Sequence, residues 1–189
     1  QLAKEVSAAL LAGKSVGFRS DLPCHGELPQ GLTKKDAELG ICITADAGKT
    51  PYGKTLRLLP MRYAAGLGCR RGKSEDELEV FLLRQLTDCG VGIRELRCVA
   101  SIDLKEKEPG LVSLCGKYNL PFVTYSAEQL NAVPGAFSGS EFVKKTTGVD
   151  SVCERAAVLA SVGRLIKDKT AADGMTFALA EFEEAIRIE

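Results

Sequence analysis

Short apolar runs alternate with helix-period patterns along almost the whole chain, and this alternation constrains the fold more than any other feature. Such alternation is typical of α/β proteins, in which helices cover a largely parallel sheet. We therefore predict a three-layer α/β/α fold with a mixed, mostly parallel sheet, preceded by a small partial α/β segment. The predicted strands lie at residues 15–19, 39–44, 61–67, 96–102, 121–125, 164–166 and 175–180.

Two predicted helices carry clear apolar stripes. The first begins at Ser74, which forms a capping box with Glu77 three residues on, and it ends before Gly90. Its predicted buried stripe is Leu78, Phe81, Leu82, Leu86 and Cys89. The second helix is predicted to bury Leu111, Leu114, Cys115 and Tyr118.

Two segments are predicted to lack helix and strand. Residues 21–32, DLPCHGELPQGL, contain prolines and glycines that oppose regular structure, and residues 167–174, KDKTAADG, read as the turn between the last two strands. Pro60 is predicted to mark the boundary between two domains. We predict a partial α/β segment at residues 1–60 and a C-terminal α/β domain at residues 61–189.

Charge and composition exclude several classes of protein. The chain has 25 basic and 25 acidic residues, and nucleic-acid binders normally show a basic excess. No apolar run approaches the roughly 20 residues that a membrane-spanning helix needs. Seven cysteines are scattered without zinc-ligand spacing, so we predict no metal site and a reducing, cytoplasmic location.

Polar loops follow several predicted strands, at residues 66–74, 103–110 and 135–140 and at Ser126. In an open α/β sheet, ligands bind outside the carboxyl ends of the strands. We therefore expect these loops to converge on one cleft. Two further capping boxes are predicted nearby, at Ser126 with Gln129 and at Ser151 with Glu154, and capping is the only role predicted for Glu154.

The stretch GLGCRRGKS, residues 66–74, looks like a nucleotide-binding loop, but its spacing fits neither nucleotide-binding pattern, so an unrelated nucleotide-binding α/β enzyme is only a third hypothesis. A P-loop needs four residues between its first glycine and Gly-Lys-Ser, whereas Gly66 and Gly68 leave five and three before Gly72. The dinucleotide fingerprint also fails, because Arg71 stands where its third glycine belongs.

The same loop has features that favour binding of some other anion. Unpaired N–H groups at a helix start and the helix dipole favour negative charge, and Arg70 and Arg71 add planar groups suited to carboxylates. Adjacent side chains in an extended stretch diverge, so only one arginine is expected to face the cleft. The alternative is an ordinary surface turn whose arginines are solvated.

The segments GLGCRRGKS, ASIDLKEKEPGL, YSAEQLNAV and SEFVKKTTGVDSVCERAA occur in this order. Together they resemble the C-terminal domain of the cobalamin-biosynthesis CbiG family, cobalt-precorrin-5A hydrolase, over most of residues 61–189. Residues 169–180 are similar to that family's final strand pair, and residues 1–60 resemble the end of its central region. The family's usual N-terminal domain has no counterpart here, so we expect either a fragment or a shortened relative.

The resemblance implies a reaction and a substrate. The reaction is hydrolysis of the δ-lactone of cobalt-precorrin-5A, with release of acetaldehyde, to give cobalt-precorrin-5B. The substrate is an amphipathic macrocycle whose acetate and propionate groups suit an anion-binding loop. No cofactor is expected, because the substrate carries the cobalt. The expected partners are this anionic corrinoid and other enzymes of the cobalamin pathway, and the alternative function is a non-catalytic corrinoid-binding or hand-over module.

Three residues are candidates for catalysis under this resemblance. Lactone opening needs an activated water and donors for an oxyanion, which makes Asp103 the candidate base and Lys105 the candidate cation. The alternatives are a helix cap for Asp103 and a solvated charge run for Lys105. Cys69, beside two arginines and a helix start, is expected to have an acidified thiol, with a packing role as the alternative to thioester formation.

The candidate substrate-binding residues lie in the loops and helix starts beyond the strands, and they are Gly68, Arg70, Arg71, Gly72, Ser74, Glu108, Ser126, Asn131, Ser138, Ser140 and Glu141. Several also have a structural interpretation. Glu108 suits the dipole of its own helix, Ser138 or Ser140 caps the helix that follows, and Asn131 closes its own short helix.

Overall fold

The computed structural model describes residues 1–183 and 186–187, which form two compact units. The first unit comprises Gln1–Pro60 together with a short strand at Ile186–Arg187, and the second comprises Met61–Glu183. None of the described helices is both long enough and apolar enough to cross a membrane.

The first unit is built on a small parallel sheet. Its elements in chain order are α1 (Leu2–Leu11), β1 (Val16–Ser20), β2 (Cys24–His25), β3 (Leu32–Thr33), β4 (Leu39–Ile43) and β5 (Lys54–Leu58). The sheet order is β3-β1-β4-β5, and every neighbouring pair is parallel. Helix α1 packs against this sheet and buries Val6.

The segment of residues 21–32 is not wholly irregular, and that part of the prediction is wrong. Strand β2 lies within it and pairs in parallel with β11 (Ile186–Arg187), and Leu32 begins β3, which pairs with β1. Strands β2 and β3 are each only two residues long, and a proline or glycine lies next to both. Such pairs depend on partners distant in sequence, which local rules do not reveal.

The second unit is a five-stranded sheet between two helical layers, which confirms the predicted α/β/α architecture. Its strands are β6 (Tyr63–Cys69), β7 (Leu96–Ile102), β8 (Phe122–Tyr125), β9 (Arg164–Ala172) and β10 (Met175–Glu181). Its helices are α2 (Glu75–Asp88), α3 (Pro109–Lys117), α4 (Ala127–Asn131), α5 (Glu141–Thr147) and α6 (Val152–Ser161). The sheet order is β8-β7-β6-β10-β9. Strands β8, β7 and β6 are parallel, and β10 pairs antiparallel with both β6 and β9.

Successive residues of the central strands face different helical layers. Val99 packs into a core with α2 and α3, whereas Ala100 packs into a second core with α4 and α6. The predicted stripes of α2 and α3 are confirmed, because all of their members lie in or against the first core. Two cores on opposite faces of one sheet define the three layers.

The last two strands are longer than predicted. Strand β9 continues through residues 167–172, which the sequence predicts to be a turn, and only Asp173 and Gly174 separate it from β10. Both connecting residues have a positive φ, as a tight hairpin turn requires. Charged residues such as Lys167 are common on an edge strand, and here they do not interrupt pairing with β10.

Helix α6 approaches the sheet closely because small residues line the contact. A Cβ atom on Gly66 would overlap the carbonyl oxygen of Cys153 in the first turn of α6. The positions that alternate with the first core on β6 and β10 are also small or short, namely Ala64, Gly68, Thr176, Ala178 and Ala180. Only glycine at position 66 allows the helix backbone to lie at this distance.

We expect Gly66→Ala to lower the free energy of unfolding by about 2–3 kcal/mol, because the added methyl group forces α6 away from β6. The matched control is Gly116→Ala in α3, where an added Cβ meets no atom within 4 Å. This control should gain roughly 0.5–1 kcal/mol from helix propensity. Urea unfolding measures both values, and an unchanged Gly66→Ala protein would show that the helix can shift without cost.

Candidate functional site

The carboxyl ends of β6, β7 and β8 lie at one edge of the sheet because these strands are parallel. The loops that follow lead into α2, α3 and α4 and carry most of the predicted site residues. The hairpin between β9 and β10 reaches the same edge, since the Arg70 N–H donates to the Gly174 carbonyl at 2.8 Å. The loop of residues 70–74 and the loop that carries Asp103 are therefore neighbours.

A buried carboxylate, Glu108, joins these two loops. Its Oε1 accepts from the Gly72 N–H at 2.8 Å, and its Oε2 accepts from the Lys105 ammonium at 2.7 Å. The side chain of Glu108 is 6% exposed and that of Lys105 is 18% exposed. Glu108 is the N-cap residue of α3, but its side chain makes no capping bond. Its carboxylate therefore serves the neighbouring loop and not its own helix.

Gly72 makes this bridge possible through its backbone conformation. Its φ of 82° is left-handed, which glycine adopts without strain. Burial by itself raises the pKa of Glu108, but the bonds from Lys105 and Gly72, with the nearby charge of Arg71, bring that pKa below its ordinary 4.5. The Gly72 N–H thus already has an anionic partner within the chain.

Cys69 lies near Lys105 at the end of β6, but its thiol is not acidified as predicted. Burial raises the pKa of Cys69 above its ordinary 9.0, and the charges of Lys105 and Lys73 offset only part of that effect. Cys69 packs against the core formed by α2 and α3. A thiol with a raised pKa is little ionised near neutral pH and is therefore a poor nucleophile.

The side chains of Arg70 and Arg71 lie near different parts of the protein. The side chain of Arg70 lies against Gly174 of the β9–β10 hairpin, whereas Arg71 is near enough to Glu108 to lower the pKa of that carboxyl. Both arginines are exposed. Arg71 is therefore the arginine on the side of Lys105.

Asp103 is exposed immediately after β7, where it begins a one-turn 3₁₀ helix, Asp103–Lys105. The cap position of that turn is Ile102, and Asp103 makes no capping bond, so its alternative role as a helix cap is wrong. Its carboxylate bonds to no other side chain in the described part of the chain. Asp103 is therefore accessible to water and to a ligand, two residues from Lys105.

A second buried carboxylate, Glu154, holds the loop that contains Ser138. Its Oε2 accepts from the Ser138 N–H at 2.7 Å and from the Ser151 hydroxyl at 2.5 Å, and its Oε1 accepts from the Lys169 N–H at 2.8 Å. The Lys169 ammonium donates to the Ser138 carbonyl at 2.7 Å. Glu154 therefore links β9, the start of α6 and the loop before α5.

The prediction that Glu154 only completes a capping box is wrong. Ser151 occupies the N-cap position of α6, but its hydroxyl donates to the Glu154 carboxylate and makes no capping bond. Sequence reasoning missed Glu154 and Lys169 as residues that organise the loop. The signal available for Glu154 was its spacing, because it lies three residues before Ala157 and seven before Ser161, on the helix face that the structure buries.

Several predicted ligand residues have structural partners. The hydroxyls of Ser74, Ser126 and Ser140 each accept from a backbone N–H in the first turn of their own helices, which confirms the capping boxes at Ser74 and Ser126. The Asn131 side chain donates to the Gly148 carbonyl at 2.9 Å. A substrate contact by these side chains stays a prediction.

The positions of two other predicted residues, Gly68 and Glu141, follow from their secondary structure. Gly68 lies in β6 opposite Thr176, and Glu141 is exposed in the first turn of α5. Glu108, Gly72 and Lys105 form one bonded group, and Glu154, Ser138, Ser151 and Lys169 form another. No hydrogen bond between described residues joins these two groups. A single cleft that contains both Lys105 and Ser138 therefore stays a prediction.

The second unit also has a shallow apolar groove of about 290 Å³, lined by Gln129, Ala132, Val133, Pro134, Val158, Leu159 and Val162. It contains none of the predicted site residues. Across residues 1–183 and 186–187, no group of three or more His, Cys, Asp or Glu side chains is arranged to hold a metal ion.

We expect Glu154→Gln to lower the free energy of unfolding at pH 7 by about 1–3 kcal/mol, because a buried charged acceptor is lost. Burial raises the pKa of Glu154, but its hydrogen bonds outweigh this and lower that pKa below 4.5. Its ionised form therefore stabilises the fold above pH 4.5, and this stabilisation disappears as the pH falls through the folded-state pKa.

The measurement is urea unfolding of wild type and Glu154→Gln between pH 7 and pH 3. The difference between them should shrink as the pH falls. The control Glu128→Gln changes an exposed carboxylate in α4 and should stay within about 0.5 kcal/mol of wild type. A difference for Glu154→Gln that is the same at every pH would contradict the assignment of an ionised buried carboxylate.

Comparison with known proteins shows the family to which this chain belongs. The profile of the family described as "Cobalamin synthesis G C-terminus" matches residues 63–180. Cobalt-precorrin-5A hydrolase from Salmonella typhimurium is 37% identical over 150 residues, which cover 79% of this chain and 42% of that protein. The chain therefore spans less than half the length of that relative.

A shorter relative is matched over more of its length. Protein CobE from Sinorhizobium is 36% identical over 119 residues, which cover 61% of this chain and 77% of that protein. A crystal structure of CobE, a protein from the cobalamin (vitamin B12) biosynthetic pathway, superposes with a TM-score of 0.61 at 32% identity. This match covers 65% of the present chain and 94% of that one, so the two share a fold.

Proposed function

Because the chain belongs to the cobalamin synthesis G C-terminus family, we propose that it acts in cobalamin biosynthesis as part of a cobalt-precorrin-5A hydrolase. The proposed reaction opens the δ-lactone of cobalt-precorrin-5A and releases acetaldehyde to give cobalt-precorrin-5B. The observation that carries this proposal is the family match over residues 63–180, which includes both loops joined by Glu108.

The proposed hydrolysis adds the oxygen of water to the lactone carbonyl carbon and breaks the ring C–O bond. The alcohol that is freed then loses its proton and leaves as acetaldehyde, as its C–C bond to the macrocycle breaks and the macrocycle carbon takes up a proton. A base must take the proton of the water, and a donor must stabilise the negative oxygen that forms. Asp103 is the proposed base, because its carboxylate is exposed and makes no structural bond to a described side chain. Lys105 is the proposed donor, because its ammonium is held two residues away.

Cys69 has no covalent role in this proposal, because burial raises the pKa of its thiol. The exposed guanidinium of Arg71 is the proposed contact for a peripheral acetate or propionate group, and Arg70 contributes less because it lies against the hairpin. The cobalt enters and leaves with the corrinoid. A cytoplasmic location and contacts with other pathway enzymes are consistent with this role.

We expect Asp103→Asn to lower turnover of cobalt-precorrin-5A by about 10²–10⁴-fold, the usual contribution of a general base, with little change in corrinoid affinity. Release of acetaldehyde, followed with alcohol dehydrogenase and NADH, measures turnover. Glu106→Gln is the matched control, because Glu106 is an exposed acid in the same loop and should keep wild-type activity. If wild type changes the visible spectrum of the corrinoid but releases no acetaldehyde, the chain is a corrinoid-binding module and not a hydrolase.

We expect Arg71→Ala to weaken corrinoid binding about tenfold, which corresponds to the loss of one charge-assisted hydrogen bond. Arg70→Ala should weaken it less than twofold, because that side chain lies against Gly174. Titration followed by visible absorbance gives both affinities. Equal and negligible effects would remove the loop of residues 66–74 from the binding site.

A further inference from the structure

The Lys105 ammonium has unused donors at the carboxyl end of β7. A lysine ammonium carries three N–H donors, and only the one that bonds Glu108 has a partner among the described residues. The Lys105 side chain is 18% exposed, so the ammonium is largely enclosed and still reachable from solvent. Two donors therefore remain for the oxygen atoms of a ligand.

Glu108 restricts where that ammonium can lie. A lysine has a flexible four-carbon stem, so without an anchor its ammonium samples many positions. The Glu108 carboxylate cannot follow such motion, because its other oxygen holds the Gly72 N–H of a different loop and its side chain is 6% exposed. A buried carboxylate whose other oxygen is held by Gly72 therefore also fixes the position of the Lys105 ammonium.

The Glu108 side chain has no local role that would otherwise explain it. It does not cap α3, and its two oxygens bond to Gly72 and Lys105 instead of to the first turn of that helix. Glu106, two residues earlier in the same loop, is exposed. The burial of Glu108 is therefore specific to its contact with Lys105 and the Gly72 loop.

We propose that Glu108 is a positioning residue, which holds the Lys105 ammonium so that one of its remaining N–H groups faces a carboxylate of the bound corrinoid and the other faces the lactone oxygen. Glu108 does not itself contact the ligand. The identity of the ligand in this inference rests on the proposed function, whereas the effect of Glu108 on Lys105 does not.

A double-mutant cycle on ligand binding tests this coupling. The probe is cobyrinic acid, a stable cobalt corrin with free acetate and propionate groups, titrated by visible absorbance. Glu108→Gln and Lys105→Ala should each weaken binding about tenfold, the effect of one charged hydrogen bond. The double variant should bind no more weakly than Lys105→Ala, because Glu108 acts through Lys105. Glutamine keeps the size of the side chain and can still accept from the Gly72 N–H.

Other outcomes overturn the inference. Additive losses would mean that Glu108 supports binding independently of Lys105. Tighter binding by Glu108→Gln would mean that the carboxylate competes with the ligand for Lys105. The control Glu106→Gln removes the same charge from an exposed position and should bind like wild type or slightly more tightly, and a loss as large as that of Glu108→Gln would show that the effect is not specific to the contact with Lys105.

A second measurement needs no corrin. The ¹H–¹⁵N signal of the Lys105 ammonium, assigned by its loss in Lys105→Ala, should be visible in wild type at low temperature because a held ammonium exchanges slowly with water. It should broaden beyond detection in Glu108→Gln. Its absence in wild type, or its persistence in a folded Glu108→Gln protein, would overturn the inference. If wild type shows this signal and binds no cobyrinic acid, the proposed function fails and the positioning role stands.

Discussion

The contact between the α6 backbone and Gly66 is the constraint on which the second unit depends. Because no side chain separates the helix from β6 at this position, the first turn of α6 lies directly on the sheet. That placement brings Glu154 to the backbone of Lys169 in β9 and to the loop of Ser138. A single position without a Cβ thus determines where a helix, an edge strand and a loop meet.

Two buried carboxylates connect the loops of this unit, and the physics of burial explains why every oxygen of both accepts a hydrogen bond. A charged group removed from water is costly unless its oxygens find donors. Glu108 accepts from Gly72 and Lys105, and Glu154 accepts from three donors on two different elements and a loop. Each carboxylate therefore specifies the geometry of several segments at once, and at Glu108 that geometry includes the proposed ligand-binding lysine.

Local patterns predicted the elements of the fold well but not their partners. The stripe that includes Leu78 and Leu82 and the capping boxes at Ser74 and Ser126 follow from spacing alone, and the structure confirms them. The length of β9 did not follow, because its charged residues read locally as a turn and only the pairing with β10 shows that they continue the strand. The role of Glu154 was missed for a similar reason: a donor such as the Lys169 N–H is fifteen residues away in sequence.

The amino-acid sequence by itself determined the α/β class, the exclusion of a P-loop and the family resemblance, because each of these depends on residue types at fixed local spacing. The tertiary structure decided the pKa direction of Cys69, the bridge from Glu108 to Gly72 and the separate surroundings of Arg70 and Arg71. These properties depend on burial and on charges that folding brings together from different strands. Sequence spacing contains no measure of either.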